Sequence, residues 1–301
     1  MKKKLLVTGA KGFVGGSIIR QAGEEWETHA IVRGEIPSGF ANITWRLLDL
    51  NDEAGVEKVF DDIRPDAVIH AAAAADIDFC EKNREAAYAT NVGLTQRIAR
   101  LCSATGVRLV HCSTDTVFDG EKGLYKESDP PGPVNYYAET KVEAERIAVS
   151  ENENTVVPRL SLVMGLPLLG GGNSFLSRMI ASLKESKPVG VPEDEIRTPV
   201  DVITLGAALL ELAGGVFRGF VHLAGNDRMN RYEMSLRIAD RLGFPRDLIV
   251  SKNSCGIPGR AKRPVDVSMD NSLAQSILKT KMLGLEAGLE RVLNFDKGER
   301  Q

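Results

Sequence analysis

Apolar residues along the chain fall into short runs, separated by stretches where they recur every three or four positions. Residues 4–7 form an apolar run that stops at Gly9, and Val14, Ile18, Ile19 and Ala22 follow at helical spacing. Residues 28–32 and 45–48 predict a second and a third strand. After the turn Asp49-Leu50-Asn51-Asp52, residues 54–63 predict a helix with Val56, Val59, Phe60 and Ile63 on one side. Residues 67–70 predict a fourth strand, 91–105 a long amphipathic helix, 107–112 a fifth strand and 136–150 another helix. Near-continuous apolar strands separated by helices imply a parallel sheet covered on both faces. Right-handed crossovers then give a doubly wound α/β domain.

Beyond about residue 160 the rhythm loosens. Gly170-Gly171-Gly172 and residues 188–195 read as loops, 199–212 and 219–223 as pieces that return to the sheet, and 232–242 and 272–283 as helical segments. The chain has 301 residues, 43% hydrophobic and 26% charged, with a net charge of −3. This is a globular composition, and its charge offers no broad attraction to a nucleic-acid backbone. Cys80, Cys102, Cys112 and Cys255 are too scattered for a disulfide framework or a C-x-x-C site and read as small buried hydrophobes. The basic start is followed by too short an apolar run for a signal peptide, and the later apolar stretch 202–210 is too short to span a membrane. The expectation is a cytoplasmic protein with no membrane partner.

Glycines at 9, 12 and 15 follow the first apolar run and open a helix. Such a G-x-x-G-x-x-G gives a sharp turn, a close approach of backbone to pyrophosphate and tight packing of helix on strand. The N–H groups of the helix start then face the anion. Gly9, Lys11, Gly12, Phe13, Val14 and Gly15 are therefore candidate dinucleotide contacts. Residues 1–160 are expected to form a Rossmann domain, and 161–301 mainly a smaller discontinuous substrate lobe, with segments near 196–223 returning to the sheet. At the end of the second strand stands Arg33, which can fork onto a 2′-phosphate, and Lys11 adds a second positive charge. The pattern predicts NADP (NADPH) in preference to NAD. Asp49 and Leu50 close the third strand where a carboxylate can meet the adenine amino group, although Asp49 equally suits a turn cap.

Tyr137-Ala138-Glu139-Thr140-Lys141 places a phenol and an ammonium on one helical face. The ammonium is expected to lower the phenol's pKa from its usual value near 10 and suit it to general acid–base work.

Together with the glycine turn, this pair resembles the extended short-chain dehydrogenase/reductase superfamily. His70-Ala71-Ala72-Ala73 resembles the family's fourth-strand segment beneath the cofactor, Asn91-Val92 its helix start, and Cys112-Ser113-Thr114-Asp115 its fifth-strand end. The resemblance implies a catalytic set of Thr114, Tyr137 and Lys141. It also implies cofactor contacts from Ala71, Ala72, Ala73, Asn91, Tyr137 and Lys141. Within the superfamily the chain is most similar to the dTDP-4-dehydrorhamnose reductase family, through Ser113-Thr114-Asp115-Thr116-Val117-Phe118-Asp119-Gly120, Asp78-Phe79-Cys80-Glu81, Gly172-Asn173-Ser174-Phe175 and Lys262-Arg263-Pro264. That similarity implies reduction of a nucleotide-linked 4-keto-6-deoxy sugar, with Asp78, Thr114, Asp115, Asn173, Phe175 and Arg263 at the substrate. Thr116 stands where dehydratases of the superfamily carry a second acid. Some reductases of this branch use magnesium, and no carboxylate cluster in this chain demands it. Extended members often form homodimers through a four-helix bundle. Two other readings stay open: a non-catalytic NADP-binding regulatory subunit like the β subunit of methionine adenosyltransferase, and a sugar-nucleotide epimerase.

Overall fold

In a computed structural model describing residues 2–169, 174–254 and 259–298, the first half folds as the alternation predicts. Strand β1 (Lys3–Thr8) leads into α1 (Phe13–Gln21), and β2 (Trp26–Val32) and β3 (Ile43–Leu47) lead into α2 (Glu53–Ile63). Next come β4 (Ala67–His70), the short helices α3 (Ile77–Lys82) and α4 (Arg84–Tyr88), and α5 (Leu94–Thr105), which a π-helical turn over Ala89–Gly93 introduces. Then follow β5 (Arg108–His111), β6 (Ser113–Thr114), α6 (Tyr136–Glu151) and β7 (Thr155–Leu160). Local chemistry sets the ends: Asp52 and Asn135 accept from the first-turn N–H groups of Gly55 and Ala138, and Gly106 ends α5 in the left-handed conformation.

The second half contributes β8 (Val163–Met164), α7 (Phe175–Lys184), β9 (Val189–Pro192), β10 (Ile196–Arg197), β11 (Val200–Asp201) and α8 (Val202–Gly214). It ends with β12 (Gly219–Leu223), β13 (Met229–Asn230), α9 (Arg231–Leu242), β14 (Ile249–Lys252), α10 (Ser272–Ile277) and α11 (Leu285–Gly298). The central sheet runs β12-β7-β5-β4-β1-β2-β3, with β6 also beside β7, and every pairing is parallel. Successive residues of β1 serve opposite faces. Leu5 and Val7 join the core that holds Ile18, Leu205 and Leu209, from α1 and α8, while Leu6 joins Phe60, Ile98 and Cys102 on the other side. A third apolar cluster, with Leu176, Met179, Met234, Ile238 and Leu289, knits α7, α9 and α11 together.

Several later elements depart from the sequence reading. The stretch 188–195 contains β9, which pairs in parallel with the distant β14. Pro188 precedes this strand and Pro192 is its last residue, so their turn signal marks its ends. The helix expected over 272–283 stops at Ile277. Helices α7 and α11 were not read, although Leu176, Met179 and Leu183 carry helical spacing. Cys80, Cys102 and Cys112 are free and buried, and Cys255 lies outside the described residues. Among the described residues no helix is long and apolar enough to cross a membrane.

Arg108 on β5 fastens α8 to the sheet. Its guanidinium donates to the Leu212 carbonyl at 2.6 Å, the Phe217 carbonyl at 2.5 Å and Asn154 Oδ1 at 3.2 Å. Burial, with Arg218 nearby, lowers its pKa to about 10. Arg108→Met is expected to orphan two carbonyls and cost about 2–4 kcal/mol, measured by urea unfolding. A loss below about 1 kcal/mol would mean that α8 is held by apolar packing alone.

Candidate active site

The glycine turn is sterically committed. Gly9 has φ +69°, and a Cβ there would lie 2.6 Å from the Ala72 nitrogen. A Cβ on Gly15 would lie 2.1 Å from the Gly9 carbonyl oxygen. The Gly12 N–H donates to that same oxygen at 2.9 Å, and Gly12 opens α1 without a side-chain cap. The N–H groups of the helix start thus face a cavity of 360 Å³ between β1, β2 and β4. Gly9, Lys11, Gly12, Arg33, Asp49, Leu50, Ala71, Ala72 and Ala73 line it.

Other candidates lie off its wall. Phe13 and Val14 pack into apolar clusters, and Gly15 is buried within α1. Asn91 accepts from the Ala74 N–H at 2.8 Å and donates to Thr140 at 2.9 Å, so it braces the segment after β4. Ala10, Ile31, Val32, Leu48, Asn51, Thr90 and Leu94 also line the cavity and were not singled out. Their signal was position alone, since most flank a strand end. Arg33 is exposed at the rim, Lys11 donates to the Glu35 carbonyl at 2.8 Å, and Asp49 Oδ1 accepts from the Asn51 N–H at 3.0 Å.

Thr114 and Tyr137 meet across the gap between β6 and α6. The Thr114 hydroxyl is the neighbour that draws the phenol's pKa down. It also lies 3.1 Å from the Thr116 hydroxyl and 3.2 Å from Asp115 Oδ1. Lys141, one helical turn from Tyr137, donates from Nζ to the Cys112 carbonyl at 2.7 Å. Among the described residues no hydrogen bond joins Lys141 to the phenol. This corrects the expected electrostatics: burial holds the phenol's pKa above its ordinary value, and the Thr114 contact only partly opposes that. The lysine responds the other way, and burial lowers its pKa to about 8.

One carboxylate spans the two elements. Glu145, two turns below Tyr137 on α6, accepts from Ser113 Oγ at 2.5 Å, beside Thr114. It also takes both prongs of Arg159 on β7, at 3.0 and 2.9 Å. Asp115 is buried with its pKa raised, 3.8 Å from Arg197 Nε. Asp78 and Arg263 are paired with each other, both prongs at 2.9 Å, and Asp78 also accepts from the Ala261 N–H at 2.8 Å. Asn173 lies outside the described residues.

Phe175 faces a second cavity, of 490 Å³, which Arg178, Arg231, Lys252, Ser254 and Arg260 also line. The Arg231 guanidinium stacks over the Phe175 ring at 4.9 Å. Buried Glu195 gathers Arg260 at 2.7 Å, Arg231 at 3.5 Å and Arg197 at 3.8 Å. These cations come from segments far apart in the chain, and no local motif announced them. Among the described residues no group of three His, Cys, Asp or Glu side chains is placed to hold a metal ion.

The RmlD substrate binding domain family matches residues 3–297. The chain belongs to this family. It is 30% identical to a dTDP-4-dehydrorhamnose reductase of Mycobacterium tuberculosis, over 87% of this chain and 83% of that protein. It is 28% identical to methionine adenosyltransferase 2 subunit beta of Xenopus laevis, over 81% of this chain and 73% of that protein. A solved dTDP-4-dehydrorhamnose reductase of Bacillus anthracis in complex with NADP superposes with a TM-score of 0.84 at 25% identity, covering 97% of this chain and 99% of that one. Family membership and the cavity agree on the first-strand turn as the place to test. Gly15→Ala must push the backbone at Gly9, at about 1–3 kcal/mol, and is expected to weaken dinucleotide binding by about fivefold or more. Fluorescence titration with NADPH checks this, and an unchanged dissociation constant would remove the turn from the binding site.

Proposed function

We propose that the protein is an NADPH-dependent reductase of a nucleotide-linked 4-keto-6-deoxy sugar. The observation that carries this reading is Thr114 beside the buried phenol of Tyr137, with the buried Lys141 one turn away. A dinucleotide fits the residues present, because the turn carries no side chain at Gly9, Gly12 or Gly15, and a Cβ at Gly9 or Gly15 would collide with backbone. Gly9, Gly12, Ala71, Ala72 and Ala73 would hold it, and Arg33 at the rim would answer a 2′-phosphate, favouring NADP over NAD. The reduced nicotinamide supplies the hydride.

The chain's own groups manage the proton. Because burial keeps the Tyr137 phenol protonated at neutral pH, it is a donor, and it gives its proton to the carbonyl oxygen as that oxygen gains charge. Thr114 orients the same oxygen by a second hydrogen bond. Lys141, still charged below about 8, stabilises the developing negative charge and has a donor for the nicotinamide ribose. Arg231, Arg260 and Phe175 suit a diphosphate and an adjoining ring at the far end of the substrate. Asp78 and Arg263 serve by holding the 261–263 segment to α3. In this reading residues 1–160 carry the dinucleotide and most of 161–301 carries the sugar nucleotide.

The test is NADPH oxidation, followed at 340 nm, with a panel of nucleotide-linked 4-keto sugars. Tyr137→Phe is expected to lower kcat by about 10²-fold or more with the NADPH dissociation constant unchanged. An unchanged kcat would remove the phenol from the chemistry. NADPH binding without turnover on any sugar would instead favour the binding-only role suggested by the likeness to the methionine adenosyltransferase subunit. Arg33→Glu is expected to weaken NADPH about tenfold relative to NADH, the worth of one charge-assisted contact. Equal loss for both dinucleotides would place Arg33 away from the 2′-phosphate.

A further inference from the structure

The mechanism leaves one group of buried titratable side chains unused. Thr8 is in register with His70, and His70 with His111, across the parallel strands β1, β4 and β5. Residues in register on neighbouring strands share a face, so a polar row crosses the carboxyl ends of the central strands. All three side chains are buried. Thr8 Oγ1 and His70 Nδ1 are hydrogen-bonded at 2.7 Å, and the two imidazole rings stand 5.6 Å apart, tilted by 30°. The row ends at Lys141, whose Nζ lies 3.5 Å from His111 Nε2. His70 Nε2 and His111 Nδ1 are buried with no hydrogen-bond partner. An unanswered buried polar atom costs about 1–3 kcal/mol, so two imidazoles are a costly way to fill positions that valine would fill.

The row makes sense as a support for the ammonium. An ammonium only donates, so the nitrogen facing it must be the acceptor, and His111 must carry its proton on Nδ1. Burial first, and then the Lys141 charge, hold His70 at about 3 and His111 well below the usual imidazole value. Both rings therefore stay neutral. The other titratable groups around Lys141 are the Cys112 thiol and Glu145. The first is kept protonated by burial, and the second is engaged by Arg159 and Ser113.

We propose that His111 is a positioning residue for Lys141, its Nε2 accepting from the ammonium while the Thr8–His70 pair holds the row in place. With the Cys112 carbonyl as the other acceptor, two of the three Nζ protons are fixed inside the protein and one is left for the cleft. The consequence for turnover rests on the reductase reading above, but the contact itself does not.

Two measurements separate these. In the free protein labelled with ¹⁵N-histidine, NMR is expected to show His111 as the neutral Nδ1–H tautomer, with its Nε2 resonance moving in Lys141→Met. A Nε2–H tautomer, or a resonance indifferent to Lys141→Met, would overturn the proposal whether or not the protein reduces any sugar. In the turnover assay, His111→Phe removes an acceptor that favours the charged amine, so Lys141 loses its proton at lower pH. The alkaline limb of the kcat profile is expected to move down by about half a unit to one unit, and His111→Gln, which restores an acceptor, to bring it back. Identical profiles for wild type and both variants would also overturn it. If His111→Phe does not fold, the NMR result decides.

Discussion

Glu145 is the constraint on which the site depends. The hydroxyl of Thr114 rides on a two-residue strand, while Tyr137 and Lys141 ride on a helix, and nothing in the backbone ladder joins the two. Glu145 does so by holding Ser113 from α6 and receiving Arg159 from β7, all out of water. A buried carboxylate and guanidinium are expensive to desolvate and justify themselves only with near-ideal geometry. That geometry is present. Both prongs of Arg159 are used, and its planar group lies between the Phe118 and Phe220 rings, at 5.0 and 4.6 Å. The one guanidinium nitrogen without a hydrogen bond, Nη1, belongs to a cation held between two aromatic faces.

The same burial that makes this ion pair strong sets the protonation states beside it. Tyr137 and Lys141 share a helical face and might be expected to tune one another, the ammonium drawing the phenol towards ionisation. Instead the lysine turns to the Cys112 carbonyl, and each group responds chiefly to the loss of water. Desolvation disfavours charge in both cases, so the phenol rises and the amine falls. The result at neutral pH is a neutral proton donor beside a cation, which is the pairing that reduction of a carbonyl requires.

What the sequence disclosed and what it hid follow from range. The strand and helix alternation, the Gly9 turn and the Tyr137–Lys141 pair are local patterns, each carried within a few turns of chain. The predicted cavity lining around Gly9, Arg33, Asp49 and Ala71–Ala73 was therefore legible from strand ends alone. Glu195 with Arg197, Arg231 and Arg260 is different, because its charges come from three places that only the packed lobe brings together. Strand β9 was hidden for a related reason: its partner β14 lies far along the chain, and the flanking prolines dominated the local signal. Asp78 and Arg263 were each noticed, but their fork-to-fork pairing is a long-range fact that no spacing rule contains.

That pairing bears on how one scaffold can serve relatives as unlike as a sugar-nucleotide reductase and an adenosyltransferase subunit. The dinucleotide cavity is built by backbone, from turns that tolerate little change, so it survives changes of role. The substrate side is built by side chains on discontinuous segments, where Asp78–Arg263 holds one segment and Glu195 gathers the cations of another. Altering a few of those long-range pairs would dismantle the second cavity while leaving the sheet, the glycine turn and even Tyr137 in place. In the proposed reading, what separates the two roles is whether the second lobe still presents its guanidinium groups to a phosphate. Here it keeps Arg231 and Arg260 at the wall of the second cavity, with Phe175 beside them.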